Sequence, residues 1–98
     1  TEPTPFGLHD LRLAAALAQE LDIPAGVVVN RDGFGDAHVD DFCQQAGLSV
    51  LMRIPLERQI GEGIAQGLNL IEIQPEYADR FRKMAAQIEL QVAEAIPV

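Results

Sequence analysis

Two residues that could contact a ligand follow the most apolar runs of the sequence. Asn30 follows three consecutive valines, and Pro55 follows the run that ends at Ile54. The Asn30 amide both donates and accepts hydrogen bonds, which is the pair needed to read an adenine edge, and the Pro55 ring could pack on a purine. Each residue also has a simpler interpretation, because Asn30 is equally typical of a loop cap and Pro55 of a strand terminator.

The other chemistry-bearing residues fit known kinds of site poorly. The glycine-rich segment at residues 32–36 lacks the Gly-x-x-x-x-Gly-Lys-Ser/Thr pattern of a phosphate-binding loop, and the chain's one lysine lies in the last predicted helix. Asp36, His38 and Asp40 are spaced by two, so on a helix they do not share the face that a metal needs. Cys43 falls on the apolar side of the same helix, which predicts a buried, inert thiol rather than a nucleophile paired with His38.

The hydrophobic pattern predicts the elements that position these residues. A helix is predicted at residues 8–21 with Asp10 in its first turn, and strands at residues 25–30 and 48–54. Continuous apolar runs without polar alternation are typical of parallel strands covered on both faces. A helix capped by Asp36 and ended by Gly47 links them. The predicted buried stripes are Leu8, Leu11, Ala15, Ala18 and Leu21 in the first helix, and Val39, Phe42, Cys43 and Ala46 in the second.

The C-terminal part follows the second strand with weaker signals. A short helix at residues 60–65, an extended segment at residues 68–73 and a long helix with Pro75 as its first residue are predicted. Tyr77, Phe81, Met84, Ile88 and Val92 form the apolar face of the long helix, and Arg80, Arg82 and Lys83 its solvated face.

These elements predict one α/β domain over residues 1–98, with two parallel strands, a right-handed crossover and flanking helices. In open sheets of this class, ligands bind beyond the carboxyl ends of the strands. The segments expected to meet there are residues 1–7, 30–35 and 54–60.

The composition excludes several classes of function. Seven Lys and Arg residues against 15 Asp and Glu give a net charge of −8. A surface this acidic does not suit nucleic acid, whose phosphates need clustered cations, or anionic lipid. A single cysteine predicts a reduced, cytoplasmic protein. Thr1 is not an initiator residue and its loop follows no element, so we expect the sequence to be a piece of a longer protein.

Three segments carry a family resemblance. Thr-Glu-Pro-Thr-Pro-Phe-Gly-Leu-His-Asp-Leu at residues 1–11, Val-Val-Val-Asn-Arg at residues 27–31 and Arg-Ile-Pro-Leu-Glu-Arg-Gln-Ile at residues 53–60 occur in this order. Together they resemble the C-terminal part of the MinD/ParA (Mrp and nitrogenase-iron-protein-like) P-loop ATPases. The resemblance is greatest to the MinD-superfamily ATPases with an inserted ferredoxin domain, and it covers nearly the whole chain.

The resemblance implies a partial three-layer, P-loop NTPase-like (Rossmann-like) fold from a protein that dimerises around bound ATP and Mg. It implies that Asn30 contacts adenine, that Arg31 is a further nucleotide-binding residue and that Pro55 lines the base pocket. The site residues at its edge would be Thr1, Glu2 and Pro3. The Walker A lysine, the magnesium-binding aspartate and the cysteines of any 4Fe-4S cluster would lie outside this chain, so we expect no ATPase activity from the chain by itself.

Two functions are therefore compatible with the sequence. The first is a fragment of a nucleotide-binding ATPase, whose partner is the rest of the parent protein. The second is a stand-alone acidic α/β interaction module that binds no nucleotide. A two-stranded sheet is marginal in isolation, so a homo-oligomer is expected in either case.

Overall fold

A computed structural model describes residues 1–33, 35 and 37–95. The elements follow the order α1 (Pro5–Glu20), β1 (Gly26–Asp32), α2 (His38–Ala46), β2 (Ser49–Pro55), α3 (Arg58–Ala65), α4 (Leu70–Ile73) and α5 (Tyr77–Ala95). The chain is an α/β structure in which β1 and β2 pair in parallel, as predicted. Because a parallel pair needs a crossover, α2 connects the two strands.

The sheet is buried mainly through one cluster. Val27 and Val29 of β1 pack with Val39 and Cys43 of α2, and these four residues are almost completely buried. Half-buried residues of the neighbouring elements complete this cluster: Leu8, Leu11, Leu48 and Val50. The predicted buried stripes are therefore confirmed at these positions of α1 and α2, whereas Leu21 and Ala46 at the ends of the two helices are exposed.

The long helix α5 contacts β2 through residues outside this cluster, so helices flank the sheet as predicted. Tyr77 is 1% exposed, and Phe81 and Met84 are half-buried. The apolar face predicted for α5 therefore packs at its N-terminal end only, because Ile88 and Val92 are each 41% exposed.

Helix α1 begins three residues earlier than predicted. The Thr4 hydroxyl accepts a hydrogen bond from the Gly7 N–H at 3.0 Å, and Pro5 is the first helical residue. A threonine cap followed by proline is a strong start signal that the apolar periodicity alone does not reveal. The prediction that Asp10 lies in the first turn is consequently wrong.

Other boundaries also differ from the prediction, among them the start of α3, which begins at Arg58 instead of residue 60. Residues 70–73 are the short helix α4 rather than an extended segment, because Asn69 and Glu72 form a reciprocal capping box. Helix α5 starts at Tyr77, so Pro75 lies in the preceding turn and is not its first residue. Strand β2 includes Pro55 instead of ending before it. Gly47 ends α2 in the left-handed conformation as predicted, and the predicted cap Asp36 lies outside the described residues.

Candidate functional site

The opening loop lies against the carboxyl end of β1. The Thr1 amino group donates to the Val28 carbonyl oxygen at 2.8 Å, and the Asn30 N–H donates to the Thr1 carbonyl oxygen at 2.7 Å. The Thr1 hydroxyl also donates to the Gly7 carbonyl oxygen at 2.9 Å. These contacts bring Thr1 directly beside Asn30, as the sequence predicted for the first and second site segments.

Asn30 closes the regular part of β1 with an exposed side chain. Its Oδ1 accepts a hydrogen bond from the Arg31 N–H at 2.9 Å, and Arg31 has a φ of 54°. A left-handed non-glycine residue is uncommon and is concentrated at functional sites. The loop-cap interpretation of Asn30 is therefore correct, but the amide keeps its Nδ2 donor and a second lone pair on Oδ1 for a ligand.

Strand β1 continues past Asn30 to Asp32, although the apolar run predicts a strand that ends at residue 30. Asp32 is in register with Pro55, and the Leu56 N–H donates to the Asp32 carbonyl oxygen at 2.9 Å. The ladder is irregular between Val29 and Asp32, where the left-handed Arg31 interrupts the regular pairing. The half-buried Pro55 consequently lies on the neighbouring strand, two residues beyond Asn30 in register.

A second set of contacts joins the opening loop to the loop after β1. The Arg31 guanidinium lies 3.9 Å from the Glu2 carboxylate. Pro3 is buried, and Gly35 has a φ of 102° at a place where a Cβ would overlap the Pro3 carbonyl oxygen. Glycine is therefore required at position 35 both for its backbone conformation and for the close approach.

All six sequence-predicted site residues thus fall at the carboxyl end of the sheet. Residues 1–2 contact β1 at Val28, Asn30 and Arg31, whereas Pro55 and Leu56 pair with Asp32 from the β2 side, so β1 lies between the first and third predicted segments. This end of the molecule presents the exposed Asn30 amide, the half-buried Pro55 ring and the Arg31–Glu2 ion pair, which offer hydrogen-bonding groups and an apolar ring face to a ligand.

An arginine at the same end was not predicted to have a role. Arg53 of β2 forms a hydrogen-bonded ion pair with Asp40 of α2, and its guanidinium lies 3.6 Å from the Asp32 carboxylate. The hydrogen bond with Asp40 is the main cause that raises the pKa of Arg53 above its ordinary value. This pair fixes the start of α2 to both strands.

Arg53 also connects the site to α5. The Arg80 guanidinium donates to the Arg53 carbonyl oxygen at 3.4 Å and lies 4.8 Å from the centre of the Tyr77 ring. Arg80 was predicted to be only solvated, so these contacts are a correction. The signal available in the sequence was Arg53 itself, which is the one charged residue of β2.

Cys43 is 2% exposed, which confirms the predicted buried thiol. Burial is the main cause that raises its pKa, and the nearby Asp40 carboxylate raises it further. A buried thiol with a raised pKa is a poor nucleophile because little thiolate forms.

His38 is exposed at the start of α2. Among residues 1–33, 35 and 37–95, no group of three or more His, Cys, Asp or Glu side chains is placed so that it could hold a metal ion.

We expect native Cys43 to react slowly with iodoacetamide at pH 8. The rate should be at least about 100-fold lower than in the urea-denatured chain, because burial both blocks access and disfavours the thiolate. The pKa of Cys43 is higher in the folded chain than in the unfolded chain, so the neutral thiol adds to the free energy of unfolding. This contribution is fully present below the unfolded-state pKa and is lost as the pH rises through the folded-state pKa. Mass-spectrometric labelling rates in both states measure the difference, and equal rates would show that Cys43 is accessible.

A cavity of about 660 Å³ lies away from the predicted site. It opens between α1 and α2, beside Ala25 and Leu48 at the amino ends of the strands, and contains none of the six predicted residues. We expect a ligand at the carboxyl end of the strands rather than in this cavity, because that end carries the exposed Asn30 amide and the strained residue Arg31.

Within the described part of the chain, no helix combines the length and apolar character needed to cross a membrane.

Comparison with curated proteins finds a similar sequence of low identity. An uncharacterized protein of Methanocaldococcus jannaschii is 29% identical over 72 residues, which are 74% of this chain. The matched region is 23% of the archaeal protein, so the chain spans about a quarter of that relative. No protein-family profile matches the sequence, and no solved structure matches it. The resemblance to the MinD/ParA ATPases therefore stays a prediction.

Proposed function

We propose that this chain is the C-terminal portion of a cytoplasmic, MinD/ParA-like ATP-binding protein. It supplies the adenine-recognition side of the nucleotide site and part of a dimerisation surface. The observation that carries the proposal is the position of Asn30, Pro55 and residues 1–3 at one end of two parallel strands. The exposed Asn30 amide reads the base, and the Pro55 ring packs on its face.

The phosphate chemistry belongs to the rest of the parent protein. The chain's one lysine, Lys83, lies in α5, where it pairs with Asp79 at 3.2 Å, and it does not follow the glycine pattern of a phosphate-binding loop. One buried cysteine does not fit a 4Fe-4S cluster, which takes four thiolates. The residues at this end offer hydrogen-bonding and apolar contacts for the base of ATP, whereas one cysteine cannot ligate an iron–sulfur cluster.

Direct titration distinguishes base recognition from phosphate binding. Equilibrium dialysis of the chain against ATP, GTP and inorganic triphosphate should show a preference for ATP over GTP and the weakest binding for triphosphate. The net charge of −8 repels all three anions, so only base contacts can produce a preference for ATP. Equal binding of ATP and GTP, or strongest binding of triphosphate, would contradict the proposal.

The alternative of a protein-interaction module is favoured by one observation. Several large apolar side chains are more than half exposed in this structure: Phe6, Leu13, Leu17, Leu21, Ile23, Ile64 and Leu90. Apolar surface of this extent marks a contact with other protein. A chain that binds no nucleotide in the dialysis but forms a defined oligomer would favour this alternative.

A further inference from the structure

The free edge of β1 has backbone contacts that nucleotide recognition does not explain. Thr1 donates from its nitrogen to the Val28 carbonyl oxygen and accepts at its carbonyl oxygen from the Asn30 N–H. In a parallel β-bridge, one residue bonds to the carbonyl oxygen before its partner and to the N–H after its partner. Thr1 makes these two bonds with the residues on either side of Val29. Thr1 therefore takes the place of a strand residue beside Val29, on the edge of β1 that does not face β2.

The same edge continues towards the start of β1. In a strand, the N–H and C=O groups of one residue point to the same side, so the Val28 N–H faces the edge that its carbonyl faces. By the same alternation, the Gly26 carbonyl faces this edge as well. A residue two positions before Thr1, in an extended chain, would donate to Gly26 and accept from Val28.

Apolar surface lies next to this edge. Val27 and Val29 are buried, so β1 has the character of an interior strand. A groove of about 420 Å³ beside Thr1 is lined by Phe6, Leu11 and other residues of α1, and Phe6 is 85% exposed. Side chains of an added strand would bury this surface.

We propose that this edge of β1 binds a third parallel strand that leads directly into Thr1, supplied by the chain that precedes Thr1 in a longer protein. The two Thr1 hydrogen bonds set its direction and register. The region that matches this chain is 23% of the archaeal relative, so that protein contains much additional sequence. A second copy is disfavoured as the occupant, because both copies carry −8 and Thr1 already holds the end of the edge.

The test adds the hexapeptide Lys-Val-Val-Ile-Val-Thr directly before Thr1 of the whole chain. In one variant the second residue before Thr1 is replaced by proline, which removes the donor that the Gly26 carbonyl needs. In the matched control the proline replaces the residue immediately before Thr1, whose N–H points away from β1. Thermal unfolding and hydrogen exchange of the Val28 amide are measured for each, with sedimentation equilibrium to establish the oligomeric state.

The extended chain and the control should unfold at a temperature roughly 5 °C or more above that of the original chain. Their Val28 amide should exchange at least about tenfold more slowly, because a hydrogen-bonded amide exchanges only when the structure opens. The proline at the second position should remove most of both effects. Equal behaviour of the two proline variants, or no change on extension, would overturn the proposal. A dimer of the original chain with a protected Val28 amide would also overturn it, since a second copy would then occupy the edge.

Discussion

Replacing Tyr77 with alanine is expected to remove most of the stability of the chain. Tyr77 is the largest nearly fully buried side chain, at 1% exposed, and anchors the start of α5. The Arg80 guanidinium lies over its ring, and the Phe81 ring is 6.1 Å away, centre to centre. Truncation of a buried aromatic residue costs about 3–5 kcal/mol. That loss is comparable with the whole free energy of unfolding of a small domain, about 5 kcal/mol at the low end.

Two control variants show whether the loss comes from the buried ring. Phe6→Ala truncates an aromatic residue that is 85% exposed, so its free energy of unfolding should stay within about 0.5 kcal/mol of the original. Tyr77→Phe keeps the ring and should recover most of the stability. Urea unfolding followed by circular dichroism measures all three. A Tyr77→Ala chain within 1 kcal/mol of the original, on the order of an average point substitution, would contradict the packing of α5 described above.

Replacing Asn30 with aspartate is expected to reduce adenosine binding about tenfold while leaving the fold intact. Aspartate keeps an oxygen that accepts from the Arg31 N–H, so the turn after β1 is preserved. It lacks the Nδ2 donor that the adenine edge requires. Loss of one such hydrogen bond is worth about 1.4 kcal/mol, a factor of about ten in affinity.

Adenosine is the appropriate ligand because it is uncharged, so the added negative charge of the aspartate does not repel it. Asn30→Ala serves as the comparison, since it removes both the turn hydrogen bond and the donor, and should lower stability and affinity together. Affinities come from isothermal titration and stabilities from urea unfolding. Unchanged adenosine affinity in Asn30→Asp would show that Asn30 acts only as a loop cap.

The parallel sheet was predictable because it follows from apolar runs. Valines at residues 27–29 have no polar alternation, and a helix with Val39 and Cys43 on one face lies before the next apolar run. These signals determine a parallel crossover without any knowledge of side-chain contacts. The expectation that a ligand binds beyond the carboxyl ends of the strands then follows from the topology.

The boundaries and the ion pairs were harder to predict for physical reasons. The capping box of Asn69 and Glu72 is a side-chain interaction that overrides the extended tendency of a short apolar segment. The contact of Arg53 with Asp40 and Asp32 joins positions distant in sequence, and only the packed structure brings them together. The position of Thr1 on the β1 edge depends on backbone hydrogen bonds, which cannot be predicted from the type of residue.

Nitrogen-15 NMR of the chain during titration with adenosine tests the adenine-site proposal most directly. The proposal predicts that the side-chain amide of Asn30 and the backbone N–H groups of Arg31 and Leu56 shift with adenosine, and that guanosine produces much smaller shifts. The signals of Ile88 and Leu90 in the distant half of α5 should not move with either nucleoside. Absence of shifts at Asn30, or equal shifts with both nucleosides, would contradict adenine recognition at this end of the sheet.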